Sequence, residues 1–312
     1  AGFIGSNLAR RLVAEGEDVV GIDCFTDYYS RVLKESNIED IINKENFLFI
    51  EGNLLELDLE SILSDIDYVY HEAAQAGVRA DIEPRKYHTV NVDGTLNVLE
   101  AARRSDIERI VFASSSSVYG GNTKLPFSVD DPVDRPISVY AASKRAAELF
   151  AETYAHLHGM PMTGLRFFSV YGPWGRPDMA LFLFTKNMLA GEPIDIYNYG
   201  NHLRDFTYID DIVDGVLRAS DNVATPEAAW DPRDPDTATS NAPWRLYNIG
   251  AAQPVPLMRF VEVLEQELGV EAQKRYHPLQ PGDVPETHAD ISDLARDTGY
   301  SPQVSVEEGV KR

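Results

Sequence analysis

Between Phe3 and Phe168 the sequence switches repeatedly between helical and strand periodicity, and that alternation restricts the fold more than any other feature. Phe3 to Glu15 carries Ile4, Leu8 and Leu12 at helical spacing and stops at Gly16. Asp18 to Asp23 reads as a buried strand, Phe47 to Ile50 as a second and Asp67 to His71 as a third. Val92 to Arg104 reads as a helix, Arg109 to Ala113 as a strand, Tyr140 to His158 as a long helix and Met162 to Phe168 as a strand. Such alternation predicts an α/β fold, a doubly wound parallel sheet covered by helices on both faces. Ligands in these sheets sit beyond the carboxyl ends of the strands. The second half is less regular. Asn222 to Pro243 is rich in Pro, Asp, Ala and Thr without periodicity and reads as a long surface loop, and a helix resumes over Leu257 to Leu268.

Charge narrows the range of partners. The 312 residues carry a formal net charge of −22 and show no basic cluster, which argues against nucleic acid and against anionic membranes. No apolar run approaches the roughly 20 residues of a membrane span, and no secretory signal is visible. The single cysteine, Cys24, excludes an internal disulfide and a multi-cysteine zinc site and fits a reducing cytoplasm. No metal is expected. The cations comprise only 8 Lys against 20 Arg, and an acidic, lysine-poor chain reads either as adapted to a salty, halophilic cytoplasm or simply as an acidic mesophilic enzyme.

Two clusters carry chemistry. Gly2-Phe3-Ile4-Gly5 opens directly into a helix, where free N–H groups and the helix dipole favour a pyrophosphate. Asp23 closes the next strand about 20 residues on, where a carboxylate binds adenosine ribose hydroxyls and repels a 2′-phosphate, which favours NAD over NADP. The second cluster is Tyr140-Ala-Ala-Ser-Lys144, whose outer members share a helix face. A lysine ammonium and a positive nicotinamide ring beside the phenol stabilise the phenolate that a general base requires. The pair follows a strand that runs into Ser114, Ser115, Ser116 and Ser117, and a serine hydroxyl there can hydrogen-bond a reacting sugar hydroxyl.

Together these features resemble the extended short-chain dehydrogenase/reductase family of nucleotide-sugar epimerases and dehydratases. The resemblance also runs through Gly52 to Leu54, His71 to Gln75, Asn91 to Thr95 and Arg204 to Asp211. It implies a Rossmann-like NAD-binding domain over residues 1–168, rejoined by about 205–249, and a smaller substrate domain from 169–204 and 250–312. The family's first strand and first glycine have no counterpart ahead of Ala1. By resemblance, Ser115 and Tyr140 are the catalytic pair, and Lys144 holds the nicotinamide ribose. Asn53 and Leu54 flank the adenine. Ala73, Ala74 and Gln75 line the pyrophosphate and ribose channel, and Asn91 and Ser114 border the cofactor. Arg204 holds the substrate diphosphate, and Asp283 belongs to the nucleotide-binding segment.

Within the family, 4,6-dehydratases place an Asp-Glu pair where this chain has Ser116 and Ser117, so dehydration is disfavoured. His71 to Arg79, Arg166 to Ala180 and Ser240 to Gly250 are similar to UDP-glucuronate 4-epimerases. Ser169 stands where those enzymes have Thr and UDP-glucose 4-epimerases have Asn. Hydroxyls of Ser115, Ser116, Ser117 and Ser169 and the charges of Arg79 and Arg176 suit a glucuronate carboxylate, whereas Asp178 reads as structural. The expected activity is NAD-dependent 4-epimerisation of a UDP-sugar, UDP-glucuronate before UDP-glucose or UDP-N-acetylglucosamine, in a homodimer paired through the helices Val92 to Arg104 and Tyr140 to His158. A non-catalytic NAD-binding protein is the alternative from a different class, disfavoured because Tyr140 and Lys144 are both present.

Overall fold

The computed structural model describes residues 1–77 and 82–312. Eleven strands are described: β1 Val19–Asp23, β2 Phe47–Glu51, β3 Tyr68–His71, β4 Arg109–Ser115, β5 Met162–Phe167, β6 Ser169–Tyr171, β7 Ile194–Ile196, β8 Leu203–Tyr208, β9 Trp244–Ile249, β10 Pro254–Pro256 and β11 Lys274–Tyr276. The predicted parallel sheet is present in two pieces. One is β1 paired with β2, and the other has the order β3-β4-β5-β9. Every residue of β5 is buried, as expected of a strand covered on both faces, so its sequence shows no alternation. The register sets Ser115 of β4 beside Phe167 of β5, and Phe167 beside Ile249 of β9, so three strand ends lie level at one edge.

Helices start and stop where side-chain chemistry dictates. The first helix, Phe3–Glu15, ends at Gly16 with φ +95°, a left-handed cap that closes onto Leu12 and Val13 carbonyls. The long helix Val139–His158 begins at Ser138, whose hydroxyl accepts the Ala141 N–H at 3.1 Å. The helix expected from Val92 differs at its start. His88–Asp93 forms a π-helical turn before the α-helix Gly94–Arg104, a local widening that hydrophobic spacing does not reveal.

The less regular half holds short strands that periodicity could not resolve. A second sheet has the order β10-β8-β6, and β7 pairs with β11. β8 belongs to this second sheet, and the helix Ile209–Asp221 follows it directly. That helix buries Ile212, Val213, Val216 and Ala219 in the same apolar core as Phe3, Leu8, Val111 and Leu165. Tyr171, Tyr208, Phe206 and Phe260 extend this core under the second sheet, the last two stacked at 4.4 Å. Asn222 to Pro243 carries turns and one bridge but no helix or strand, as expected. Among the described residues no helix is long and apolar enough to cross a membrane.

Candidate active site

The long crossover helix runs antiparallel to the strands it connects, so its first turn lies over the carboxyl end of β4. Two bonds fix it there. Lys144 Nζ donates to the Ala113 carbonyl at 2.9 Å, and Ser114 Oγ donates to Glu148 Oε1 at 2.5 Å. Tyr140, one turn before Lys144, is therefore carried beyond the strand end, half-buried, with its ring 6.0 Å from that of Tyr87. Ser115 is the last residue of β4 and caps the short helix Ser116–Tyr119, its hydroxyl accepting from Ser117 N at 3.2 Å. Ser115, Tyr140 and Lys144 thus stand at one edge.

The residues expected to hold a cofactor lie toward the same edge. Gly2 precedes the first helix, and nothing lies within 4 Å of where a Cβ on it would sit, so the approach to Phe3, Ile4 and Gly5 is open. Asp23 ends β1, with one carboxylate oxygen accepting Phe25 N at 2.7 Å. Beside it, β2 runs into Gly52, Asn53 and Leu54, with Gly52 N bonded to the Asp23 carbonyl at 3.0 Å. Ala73 is exposed and Ala74 half-buried just past β3. Asp23, Asn53, the open glycine start, the two alanines and Lys144 form one track, which fits an extended dinucleotide. Asn91 differs from expectation. Its side chain is 1 % exposed and is consumed by protein. It accepts Gln75 N at 2.7 Å and donates to the Gln75 carbonyl at 3.0 Å and to Ser143 Oγ at 2.9 Å. It braces the loop after β3 against the long helix and has no group left for a ligand. Gln75, at 3 % exposure, is likewise buried and bonds Asn91 through its backbone.

On the substrate side, Ser116 and Ser117 line a cavity of about 40 Å³ with Ser138, Gly282, Val284 and Thr287, so the segment holding Asp283 meets the serine run. Ser117 Oγ is buried without a hydrogen-bond partner among the described residues. Ser169 opens β6, two residues past the end of β5, and is half-buried. Arg176 is bidentate to Asp178, at 3.0 and 2.7 Å. Arg204 bonds Asp283 at 2.9 Å and the Pro285 carbonyl at 2.9 Å, so two residues read separately from the sequence form one pair. Burial would raise the Asp283 carboxyl, but His202 and Arg204 hold it below its ordinary range. Arg79 lies outside the described residues.

Three features escape the sequence reading. Glu148 is wholly buried and takes two bonds from Arg166, at 2.9 and 3.1 Å, one from Arg145 and one from Ser114. Arg166 continues to Tyr119 Oη at 3.0 Å, which donates to Asn248 Oδ1 at 2.6 Å. Burial would raise the Glu148 carboxyl, but the Arg166 guanidinium outweighs it and holds the group low. The signal was available, because Glu148 is four residues past Lys144 on the same helix face. Glu72, beside His71, is the second. Its Oε1 is buried with no partner among the described residues, and burial pushes the carboxyl up to about 7 despite Lys144. The third is Tyr28, which donates to Asp178 at 2.8 Å from the loop after β1.

Residues 1–230 match the NAD dependent epimerase/dehydratase family. The chain belongs to this family. The matched span holds the glycine start, Asp23, the serine run, Tyr140, Lys144, Arg176 and Arg204. Among relatives, Protein CapI of Staphylococcus aureus is 51 % identical over all of this chain and 94 % of its own length. A probable UDP-glucuronate 4-epimerase of Rhizobium meliloti is 45 % identical over all of this chain and 93 % of its own. The crystal structure of UDP-glucuronic acid 4-epimerase from Bacillus cereus, in complex with UDP-glucuronic acid and NAD, superposes with a TM-score of 0.89 at 34 % identity, covering 99 % of this chain and 94 % of that one. The shared fold is a Rossmann-like α/β fold with a parallel sheet.

Proposed function

We propose that this chain is an NAD-dependent isomerase that interconverts UDP-glucuronate and UDP-galacturonate by inverting C4. The observation that carries the reading is the setting of Ser115, Tyr140 and Lys144 at the end of β4, with Ser116 and Ser117 in place of an acid pair. The relatives named for this reaction, and the solved structure holding its substrate, support it.

Gly2 to Gly5, Asp23, Asn53, Leu54, Ala73, Ala74 and Lys144 would hold the dinucleotide. Bound there, NAD would supply reversible hydride chemistry at C4 without being consumed. Tyr140 Oη removes the C4 hydroxyl proton and gives it back to the alkoxide formed on the other face. Ser115 Oγ hydrogen-bonds the reacting hydroxyl. Lys144, held by the Ala113 carbonyl, keeps positive charge beside the phenolate. The 4-keto sugar between the two half-reactions is a β-keto acid, and losing carbon dioxide requires its carboxylate charge to flow into the ring. Hydrogen bonds from Ser116, Ser117 and Ser169 and the charge of Arg176 keep that charge on the carboxylate. Arg204, oriented by Asp283, faces the diphosphate. The sugar turns about that anchor between the half-reactions.

Residues 1–168 and the return over about 205 to 249 would form the cofactor domain, and the remainder the sugar-nucleotide domain. Leu149 and Leu157, 50 % and 66 % exposed on the long helix, suit burial in a homodimer. Tyr140→Phe should reduce turnover at least a thousandfold while leaving UDP-glucuronate affinity nearly unchanged, measured by kinetics and calorimetry. Turnover within tenfold of the parent would overturn the assignment of Tyr140.

A further inference from the structure

The loop after Asp23 bonds the segment that carries Arg176. Tyr28 Oη donates at 2.8 Å to Asp178 Oδ2, the oxygen that also accepts Arg176 Nη2 at 2.7 Å. The Arg176 guanidinium lies 5.8 Å from the centre of the Tyr28 ring. Tyr29 feels both ends of this bridge. Burial first, then the Asp23 charge, pushes its phenol up to about 12, while Arg176 pulls the other way. Close packing fixes the bridge. A Cβ on Gly77 would lie 2.6 Å from Tyr28 Oη, and Gly77 has φ +94°, so that position accepts glycine and brings the loop after β3 against the tyrosine.

We infer that Tyr28 and Asp178 are positioning residues for Arg176, and that through them recognition of a carboxylate-bearing sugar depends on the loop adjoining the cofactor's ribose site. The inference rests on the reading of Arg176 given above. Asp178 engages Nε and Nη2 and leaves Nη1 unengaged among the described residues, so the guanidinium presents one fixed edge. Fixing a long side chain before the ligand arrives removes an ordering cost that binding would otherwise carry. Asp178 also brings a negative charge close to where a substrate carboxylate would lie. Donation from Tyr28 takes up part of that charge and lessens the repulsion. An uncharged sugar uses neither effect, so the bridge tunes selectivity and not the chemical step.

The test measures steady-state constants for UDP-glucuronate and dissociation constants for UDP-glucose, which lacks the carboxylate, on NAD-loaded enzyme. Tyr28→Phe and Asp178→Asn should each raise the UDP-glucuronate KM about fivefold, the effect of one hydrogen bond, with a smaller change in kcat. Affinity for UDP-glucose should hold. In an Arg176→Ala background, Tyr28→Phe should add nothing. A lower KM for Asp178→Asn, which would make Asp178 a competitor and not a support, overturns the inference. So does parallel weakening against both sugars, or loss of NAD from Tyr28→Phe, and so does additivity with Arg176→Ala. If Arg176→Ala itself leaves the UDP-glucuronate KM unchanged, the reading of Arg176 fails instead.

Discussion

Arg166 and Arg176 each face a carboxylate, and the difference between the two pairs separates what holds this molecule together from what it offers a substrate. Arg166 and Glu148 are 1 % and 0 % exposed and bond each other as well as Tyr119, the Val129 carbonyl, Arg145 and Ser114. Arg176 and Asp178 are 23 % and 16 % exposed, with one guanidinium nitrogen unengaged among the described residues. A sealed pair has no capacity left for a ligand. Its role is to tie β5 to the long helix, and so to set Ser114, Lys144 and Tyr140 at the end of β4. An open pair contributes little to folding and keeps capacity for an incoming anion.

The largest expected effect tests the sealed pair. Arg166→Met leaves Glu148 charged, buried and without its main partner, which should cost about 3–5 kcal/mol of stability. Thermal or denaturant unfolding would show it, and a loss near 1 kcal/mol would mean the pair is not structural. Next comes Glu72, a carboxyl whose Oε1 is buried with no hydrogen-bond partner among the described residues. Its folded pKa of about 7 lies above the ordinary 4.5, so the folded state holds the extra proton between those values and stability falls as pH rises through them. Glu72→Gln should therefore match the parent below about pH 4.5 and exceed it by about 3 kcal/mol above pH 7. A gap that does not grow with pH would contradict the burial of this group. Smallest is the open pair. Asp178→Asn should cost under about 1 kcal/mol of stability, because a partly solvated ion pair contributes little to folding. A loss as large as that of Arg166→Met would erase the distinction between the pairs.

The same contrast explains what the sequence made legible. The parallel sheet, the glycine start, Asp23 and the Tyr140–Lys144 pair depend on periodicity and short spacing, which a linear reading sees directly. Helix starts depend on backbone detail, so the π-helical turn at His88–Asp93 was hidden behind a helical pattern expected from Val92. β6 and β10 are three residues each, too short for periodicity to register. The polar bridges span 18 residues for Glu148 and Arg166, 79 for Arg204 and Asp283, and 150 for Tyr28 and Asp178, separations that only the folded chain closes. Asn91 reads from the sequence as a neighbour of the active site, and that its amide is consumed by Gln75 and Ser143 is a saturation that residue type does not disclose.

The most direct test of the account is proton NMR of UDP-glucuronate incubated with the full-length protein and NAD, in low salt and in molar KCl. UDP-galacturonate should grow to an equilibrium mixture without net accumulation of NADH. Activity of the acidic chain should be higher in KCl. Unchanged UDP-glucuronate, with UDP-glucose or UDP-N-acetylglucosamine epimerised under the same conditions, would contradict the assignment of the carboxylate to Arg176 and the serine run.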